Sequence, residues 1–519
     1  MRYRILLVLG VAVLMLSGCA QLRGIRGTAV PSPAPLPTLD AYLAQRVSWT
    51  PCPDQRDAEC GAIRVPVDYS HPEALALSMP LVRLRATDRQ ARIGVLTTNP
   101  GGPGESGYEQ VLAALDPNDT VLGRFRARYD LVGFDPRGVG RTAGISCLDD
   151  KEMDAYLATD FTPADAAGMR KVADAHKRYA TACLRNAGKL LGFVGTEFVA
   201  KDMEIMRSAL GEQKLNYFGF SYGTRLGQEY ADQYPHRVGR MLLDSVDDPS
   251  EETARWDLDH DSAPSGMSLR DQLVHTIFEK CAARTDCPVG NDADAAMRKL
   301  RELIDRVDVT PIPVADGRRL GSNLATLGAF QATYGERYWR DFEQALADAF
   351  DGDGTGLAEL ADTYVGRRSG RYTSSDPAFW AVQCANDDPA KYRSKSEDEI
   401  LAFLARKAQR AKIYSPLFGE NRTYSSPLCL FWPVPPSEKS HAARATGAPT
   451  IVLLNNTNDP ATPLDEAQSV ARHLADAVLV INEHDGHIAY DSGSSCIDTI
   501  ATDFLLDGAI PPRGTRCHR

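Results

Sequence analysis

The run Leu215-Asn216-Tyr217-Phe218-Gly219-Phe220-Ser221-Tyr222-Gly223 constrains this chain more than any other feature. Its first residues are apolar and β-prone, and the stretch that follows, Thr224-Arg225-Leu226-Gly227-Gln228-Glu229-Tyr230-Ala231, reads as helix. A strand that passes through a tight turn straight into a helix is the setting in which G-x-S-x-G forms a nucleophile elbow. There the serine sits on a strained turn, with its hydroxyl raised above a parallel sheet. The flanking glycines remove the Cβ atoms that would clash where the turn presses on its neighbours. The pentapeptide alone is common by chance, and a serine capping an ordinary βα loop is the bland alternative. The strand before it and the helix after it favour the elbow.

The rest of the chain supplies the sheet that an elbow needs. Strand signals recur at 93–98, 129–134, 215–219, 241–244, 450–455 and 477–482. Several are almost continuously apolar, as strands covered on both faces must be. Helix-like stretches alternate with them: 202–210, with Met203, Met206 and Leu210 on one face, and 463–475. This alternation predicts right-handed crossovers and a doubly wound, mostly parallel α/β sheet, with ligands at the carboxyl ends of the strands. A chain of 519 residues exceeds what one core usually covers, so a large insertion or a second domain is expected. Between 249 and 436 the alternation fades, and helix-like segments at 268–283, 294–308, 342–350 and 397–412 predict an inserted helical cap. The core is then split into 49–248 and 437–519.

The N-terminus reads as an export and anchoring device. Arg2 and Arg4 precede the apolar run Ile5 to Leu16, which ends in Leu16-Ser17-Gly18-Cys19. A charged start, an apolar stretch too short to span a bilayer and small residues at its end describe a secretory signal over 1–18. The ending resembles a bacterial lipobox, which would make Cys19 the lipidated N-terminus; a plain signal peptide with a chance cysteine is the alternative. Pro31, Pro33, Pro35 and Pro37 mark an extended tether within 19–48. Without Cys19 ten cysteines remain, an even number that implies disulfides in an exported chain. Connectivity is open; nearest-neighbour pairing gives Cys52–Cys60, Cys147–Cys183, Cys281–Cys287, Cys384–Cys429 and Cys496–Cys517. No C-x-x-C or H-E-x-x-H occurs, so neither a metal nor another cofactor is expected. A net charge of −11 argues against nucleic acid as a partner.

A nucleophilic Ser221 needs a base and a carboxylate to orient it, and in α/β-hydrolases the chain order is serine, acid, histidine. Of the late histidines, His473 falls on the helix-like 469–475 and His518 next to the end of the chain. His484 and His487 share the loop after the last strand signal. His487 is favoured because Gly486 lets the loop turn close to the site, with His484 as runner-up. Asp459 lies just past the 450–455 strand and is held extended by Pro460; a plain turn aspartate is its bland reading, and Asp244 is the competing acid. Thr462 and Pro463 read as N-cap and first residue of the next helix. For the oxyanion hole, Tyr222 offers one amide, and Asn99-Pro100-Gly101-Gly102-Pro103-Gly104 after the 93–98 strand offers a second at Gly102. That glycine loop lacks the G-K-[ST] of a phosphate-binding loop. Phe134-Asp135-Pro136-Arg137-Gly138-Val139-Gly140 reads as a structural tie between loops.

These pieces together resemble the tripeptidyl aminopeptidase-like (TAP-like) family of secreted bacterial α/β-hydrolases, related to the proline iminopeptidases. The resemblance runs over nearly the whole mature chain. It includes Val65-Pro66-Val67-Asp68-Tyr69, the glycine loop, Phe134 to Gly140, Gly219 to Gly223, Asp459-Pro460-Ala461-Thr462-Pro463, Gly486-His487, and Pro511-Pro512 before Cys517. It implies an α/β-hydrolase fold, Ser221, Asp459 and His487 as triad, and a TAP-like segment over about 418–517. It also implies removal of short peptides or single residues from free N-termini, although some members are better described as esterases. The chain departs from the family in following its glycine loop with Glu105-Ser106-Gly107 instead of another small residue. An enzyme that recognises a free N-terminus needs a carboxylate for the ammonium. Asp387, Asp388 and Glu105 are candidates, Asp387 foremost because a Cys384–Cys429 bridge would hold its loop.

Three functions compete. The first is a lipid-anchored serine exopeptidase acting through an acyl-enzyme. The second is a carboxylesterase or lipase with the same triad and no amine anchor. The third is a non-catalytic binding protein on a hydrolase scaffold. The expected partners are a peptide or ester substrate and, through the N-terminal lipid alone, a membrane of the bacterial envelope.

Overall fold

The computed structural model describes residues 33–518 apart from 120, 251–264, 387–393 and 438–439. Cys19, the signal segment, Asp387 and Asp388 therefore lie outside the described residues. Ten strands form one sheet: β1 (Thr50–Pro51), β2 (Glu59–Pro66), β3 (Ala76–Leu84), β4 (Gly94–Asn99), β5 (Tyr129–Phe134), β6 (Leu215–Phe220), β7 (Val238–Asp244), β8 (Ile451–Asn458), β9 (Ala477–Asp485) and β10 (Arg516–His518). Their order is β1-β2-β3-β5-β4-β6-β7-β8-β9-β10. The pairs from β1 to β5 through β2 and β3 are antiparallel, and every pair from β5 onward is parallel. This is the α/β-hydrolase architecture, with helices on both faces.

The topology places the site. From β4 the chain crosses to β5 on one side, then returns past β4 to β6 on the other, so the winding direction reverses between β4 and β6. Ligands bind α/β sheets at such a switch point, beyond the carboxyl ends of the strands. Asn99 at the end of β4 pairs with Gly219 near the end of β6, so the glycine loop and the elbow leave the sheet side by side. Every residue of β4 and β5 is buried, as their mostly apolar reading predicts, with Thr97, Thr98, Asn99 and Asp130 the polar exceptions.

Helices Ser265–Ala282, Ala293–Val309, Ser322–Ala332, Trp339–Phe350, Thr355–Val365, Ser375–Asn386 and Glu397–Tyr414 separate β7 from β8 and build a cap. A second excursion between β5 and β6, with helices Asp150–Leu157 and Ala166–Ala187, packs against it. Tyr179 Oη donates to Asp376 (2.6 Å), His176 Nε2 bonds the Tyr424 carbonyl (2.8 Å) and Asn323 Nδ2 donates to the Leu157 carbonyl (2.8 Å). The cap thus draws on two parts of the chain, where the sequence pattern marked only 249–436. Among the described residues no helix is long and apolar enough to cross a membrane.

The tether is shorter than 19–48. Thr38 caps a short helix, Leu39–Leu43, whose Tyr42 is fully buried and donates to the Pro72 carbonyl (3.0 Å). Gln45 exchanges two hydrogen bonds with the backbone of Arg64 in β2, so the folded domain reaches back to about Leu36. Five disulfides join Cys52–Cys60, Cys147–Cys183, Cys281–Cys287, Cys384–Cys429 and Cys496–Cys517, each to its neighbour in sequence. Two of them fasten the sheet edges, at β2 and at β10. The loop after β5 is tied by Arg137, which is fully buried and grips Asp202 with two hydrogen bonds (2.7 and 2.6 Å). Its other donors reach the carbonyls of Pro66, Val67 and Phe193. A fork of five donors meets a carboxylate and three backbone oxygens, an arrangement only arginine can make.

Candidate active site

Ser221 follows β6 with φ +54° and ψ −127°, a backbone conformation that costs a non-glycine residue on the order of 1–3 kcal/mol. The surroundings hold it there. Its N–H donates to the Asp244 carbonyl (2.9 Å), and its own carbonyl accepts from Thr224 N–H (2.8 Å). A Cβ on Gly219 would lie 2.4 Å from the Gly223 carbonyl oxygen, and one on Gly223 would lie 2.4 Å from the Asn99 carbonyl oxygen. Both glycines are therefore steric necessities of the turn. Ser221 itself is partly accessible.

The glycine loop presses on this turn. A Cβ on Gly101 (φ +105°) would lie 2.8 Å from Ser221 Cβ and 3.3 Å from the Tyr222 nitrogen. Gly101 N–H donates to Asn99 Oδ1 (3.0 Å), whereas among the described residues no acceptor takes the Gly102 N–H. Gly104 packs against the backbone of Ser375 and Phe379, and Glu105, exposed, accepts from the Ser375 hydroxyl. The departure at Glu105 thus joins the glycine loop to the cap helix Ser375–Asn386.

Asp459 and His487 meet. Asp459 is fully buried just past β8, and both its carboxylate oxygens stand 2.9 Å from His487 Nδ1. The same carboxylate accepts from the amides of Ala461 (2.9 Å) and Thr462 (3.0 Å) and from the Thr462 hydroxyl (3.1 Å). Thr462 is therefore not the helix cap that its sequence context indicates. The helix starts at Leu464 after Pro463, and the threonine serves the aspartate instead. Burial pushes the Asp459 carboxyl up, but His487, the Thr462 amide and the Ser245 hydroxyl outweigh it and hold the group below the usual range.

The rival residues have other partners. Asp244, fully buried, accepts from the amides of Ala489 (3.0 Å) and Tyr490 (2.8 Å), so it clasps the loop that carries His487. Burial raises its carboxyl to about 6 against those two amides. His484 stays within β9, its backbone bonded to Thr457. His473 is the exposed last residue of helix Leu464–His473, and His518 pairs with Glu483 at the surface.

Further residues shape the histidine loop, and sequence patterns give no sign of them. Asn456 Nδ2 donates to the carbonyls on either side of His487, Gly486 (2.8 Å) and Ile488 (3.0 Å). Ile488, β-branched, is held at φ +77°, with its N–H on the Ser245 hydroxyl (2.9 Å). From the cap, the Tyr334 carbonyl accepts the His487 N–H (3.2 Å), and the Tyr334 ring meets the imidazole edge-on at 5.5 Å. Pro100, Phe220, Tyr334 and His487 line a cavity of about 330 Å³. Chemically, the arrangement offers a serine on a strained turn, a histidine whose orientation and tautomer are fixed by a buried carboxylate, and a glycine loop against the serine.

Comparison with known proteins adds the following. Residues 415–517 match the family described as "TAP-like protein", and residues 95–271 match "alpha/beta hydrolase fold". The chain is 34% identical to "Serine protease Hip1" of Mycobacterium tuberculosis, over 98% of this chain and 96% of that protein. It is 33% identical to "Carboxylesterase B" of the same organism (92% and 90%) and 28% identical to the "Tripeptidyl aminopeptidase" of Streptomyces lividans (91% and 86%).

Proposed function

The chain belongs to the TAP-like family of α/β-hydrolases and is a serine hydrolase, and from that premise we propose that it is an exported, lipid-anchored exopeptidase that releases short peptides or single residues from free N-termini. The observation that carries the reading is the buried Asp459 carboxylate holding His487 Nδ1 with both oxygens, in the loops beside an elbow serine. In this reading Ser221 Oγ attacks the scissile carbonyl as His487 takes its proton, and the Tyr222 and Gly102 amides stabilise the oxyanion. His487 then returns the proton to the leaving amine, and water, activated by the same histidine, hydrolyses the acyl-enzyme. Asp459 keeps the proton on His487 Nδ1, leaving Nε2 for Ser221.

The relatives named as a protease and as an aminopeptidase support peptides as substrates. Export is supported by the 1–18 leader and by five disulfides, which persist in oxidising compartments. Glu105 beside the glycine loop and Asp387 are the candidate anchors for the substrate ammonium. A carboxylesterase is the second reading, favoured by the 33% identity to a protein of that name. Turnover of tripeptidyl amides with free and acetylated N-termini, set against p-nitrophenyl esters, separates the two. The exopeptidase reading expects the free form to be cleaved and the acetylated one spared. Equal cleavage of both, or turnover of esters alone, overturns it.

A further inference from the structure

The cap carries two arginines that make no ion-pair contact among the described residues, although Arg422 supports the charge of the buried Asp376. Arg270, on helix Ser265–Ala282, is 2% exposed. Its guanidinium carbon lies 3.8 Å from the Phe330 ring centroid and 4.9 Å from that of Tyr334, and Nη1 donates to the Thr333 hydroxyl. The guanidinium also hydrogen-bonds the Tyr334 hydroxyl, while its Nε is buried with no acceptor. Arg422, part-exposed, stands 4.9 Å from the same Phe330 ring. Neither forms an ion pair among the described residues. Their neighbours in the cap behave otherwise: Arg318 and Arg367 share Asp362 and Asp316, and Arg284 pairs with Glu343.

A guanidinium removed from water is costly unless a carboxylate or an equivalent acceptor meets it. Aromatic faces and the Thr333 and Tyr334 hydroxyls offset part of that cost for Arg270, but they leave its Nε unmet. Burial works against its charge, Tyr334, Tyr364 and Asp459 support it, and Arg422 opposes it, so Arg270 feels both the second arginine and the acid of the site. The position is telling. Thr333 and Tyr334, which touch Arg270, belong to the segment whose backbone accepts the His487 N–H and whose ring lies on the imidazole. One aromatic ring separates the buried guanidinium from His487.

We propose that Arg270 and Arg422 form an anion subsite beside His487 that binds a carboxylate of the substrate, either an acidic side chain or the C-terminal carboxylate of a short peptide. The inference rests on the reading of Ser221, Asp459 and His487 as the reacting centre. A carboxylate between the two arginines gains charge-assisted hydrogen bonds from both, including one from the unmet Nε of Arg270. It also relieves the repulsion between the two cations. In an exopeptidase such a subsite selects acidic peptides or peptides short enough for their far end to reach it.

Matched peptides with free N-termini test this. One series exchanges Glu for Gln at successive positions; the other exchanges a C-terminal acid for its amide. The readout is the ratio of kcat/KM for the charged member to that for the neutral one, so general losses of activity cancel. The wild-type ratio is expected to reach about tenfold in one series, and that series identifies the source of the carboxylate. The ratio should fall to near one in Arg422→Gln and in Arg270→Gln, and survive in part in Arg422→Lys. Calorimetric binding of the same pairs to Ser221→Ala protein gives the ratio without turnover, so a failure of the hydrolase reading leaves this test standing. If no pair is discriminated, or the preference persists in Arg422→Gln, the arginines are structural cation–π elements and the proposal is wrong.

Discussion

Asp459 and Asp244 stand at the ends of adjacent strands, both fully buried, yet their surroundings drive their carboxyls in opposite directions. Asp459 faces His487 and a hydroxyl, which favour its charge. For Asp244 burial outweighs the two amides and the nearby His487 that favour its charge, and the Asp459 carboxylate opposes it. The consequences for stability are opposite in sign. A carboxyl held low in the folded state adds stability above its unfolded pKa, and that contribution is lost as pH falls through the folded value. A carboxyl held high favours the folded state at low pH, and the benefit drains away as pH rises. For Asp244 the window runs from 3.8 to about 6. The unfolding free energy of wild type relative to Asp244→Asn should therefore fall by roughly 3 kcal/mol across it. Urea denaturation of both proteins at several pH values in that range measures the difference, and a flat or rising difference contradicts the assignment. For Asp459, replacement by Asn leaves the geometry intact but favours the wrong imidazole tautomer. Its kcat should drop by about three to four orders of magnitude with KM little changed. Steady-state kinetics on an activated ester reads this, and a loss below tenfold would return Asp459 to the role of turn residue. The strained turn at Ser221 and the contact of Asp459 with His487 were legible because chain order and local context restrict them. The roles of Asp244, Asn456 and Arg270 were not, since each is defined by partners outside its own local pattern: Ala489 and Tyr490 for Asp244, Gly486 and Ile488 for Asn456, Phe330 and Thr333 for Arg270.

The glycine loop and the elbow belong to different elements but act as one surface. Gly101 is the contact between them: a methyl group there meets the Phe220 carbonyl oxygen at 2.6 Å and Ser221 Cβ at 2.8 Å, on a backbone of φ +105°. Gly101→Ala must therefore move either the serine or the oxyanion donors. Its kcat should fall by roughly two orders of magnitude, the range associated with losing one such donor, while thermal unfolding shows the fold retained. Near-normal kcat in a folded Gly101→Ala protein would show that the loop does not set the serine's position. The strands were readable where a mostly apolar run announces burial on both faces, as in β4, β5 and the first half of β8. They were hidden where proline interrupts the pattern: Pro66 ends β2, and Pro80 sits inside β3 opposite Ala62. Helix Ser322–Ala332 was hidden for the opposite reason. All its residues are buried, so no polar face gives it a helical period. The element that leads to Tyr334, and so reaches His487 from the cap, is the one that periodicity misses.

At the scale of the whole molecule, hydrogen bonds hold the chain to the domain from about Leu36 onward, and this bears on an anchor at Cys19. If Cys19 carries the lipid, sixteen residues separate it from Leu36, a span of at most about 60 Å even when fully extended. The active site then works close to a membrane surface, on substrates that reach it there. With the native leader, the wild-type protein should incorporate labelled fatty acid and sediment with membranes. With a plain cleavable leader and Cys19→Ser, it should appear in the soluble fraction, unlabelled. On a small soluble peptide the two forms should have the same kcat/KM, since the anchor sets location and leaves the chemistry alone. Membrane sedimentation of the released Cys19→Ser protein would show that some surface of the domain binds the membrane. Absence of label in the wild type would make residues 1–18 an ordinary export signal and the protein a freely diffusing one.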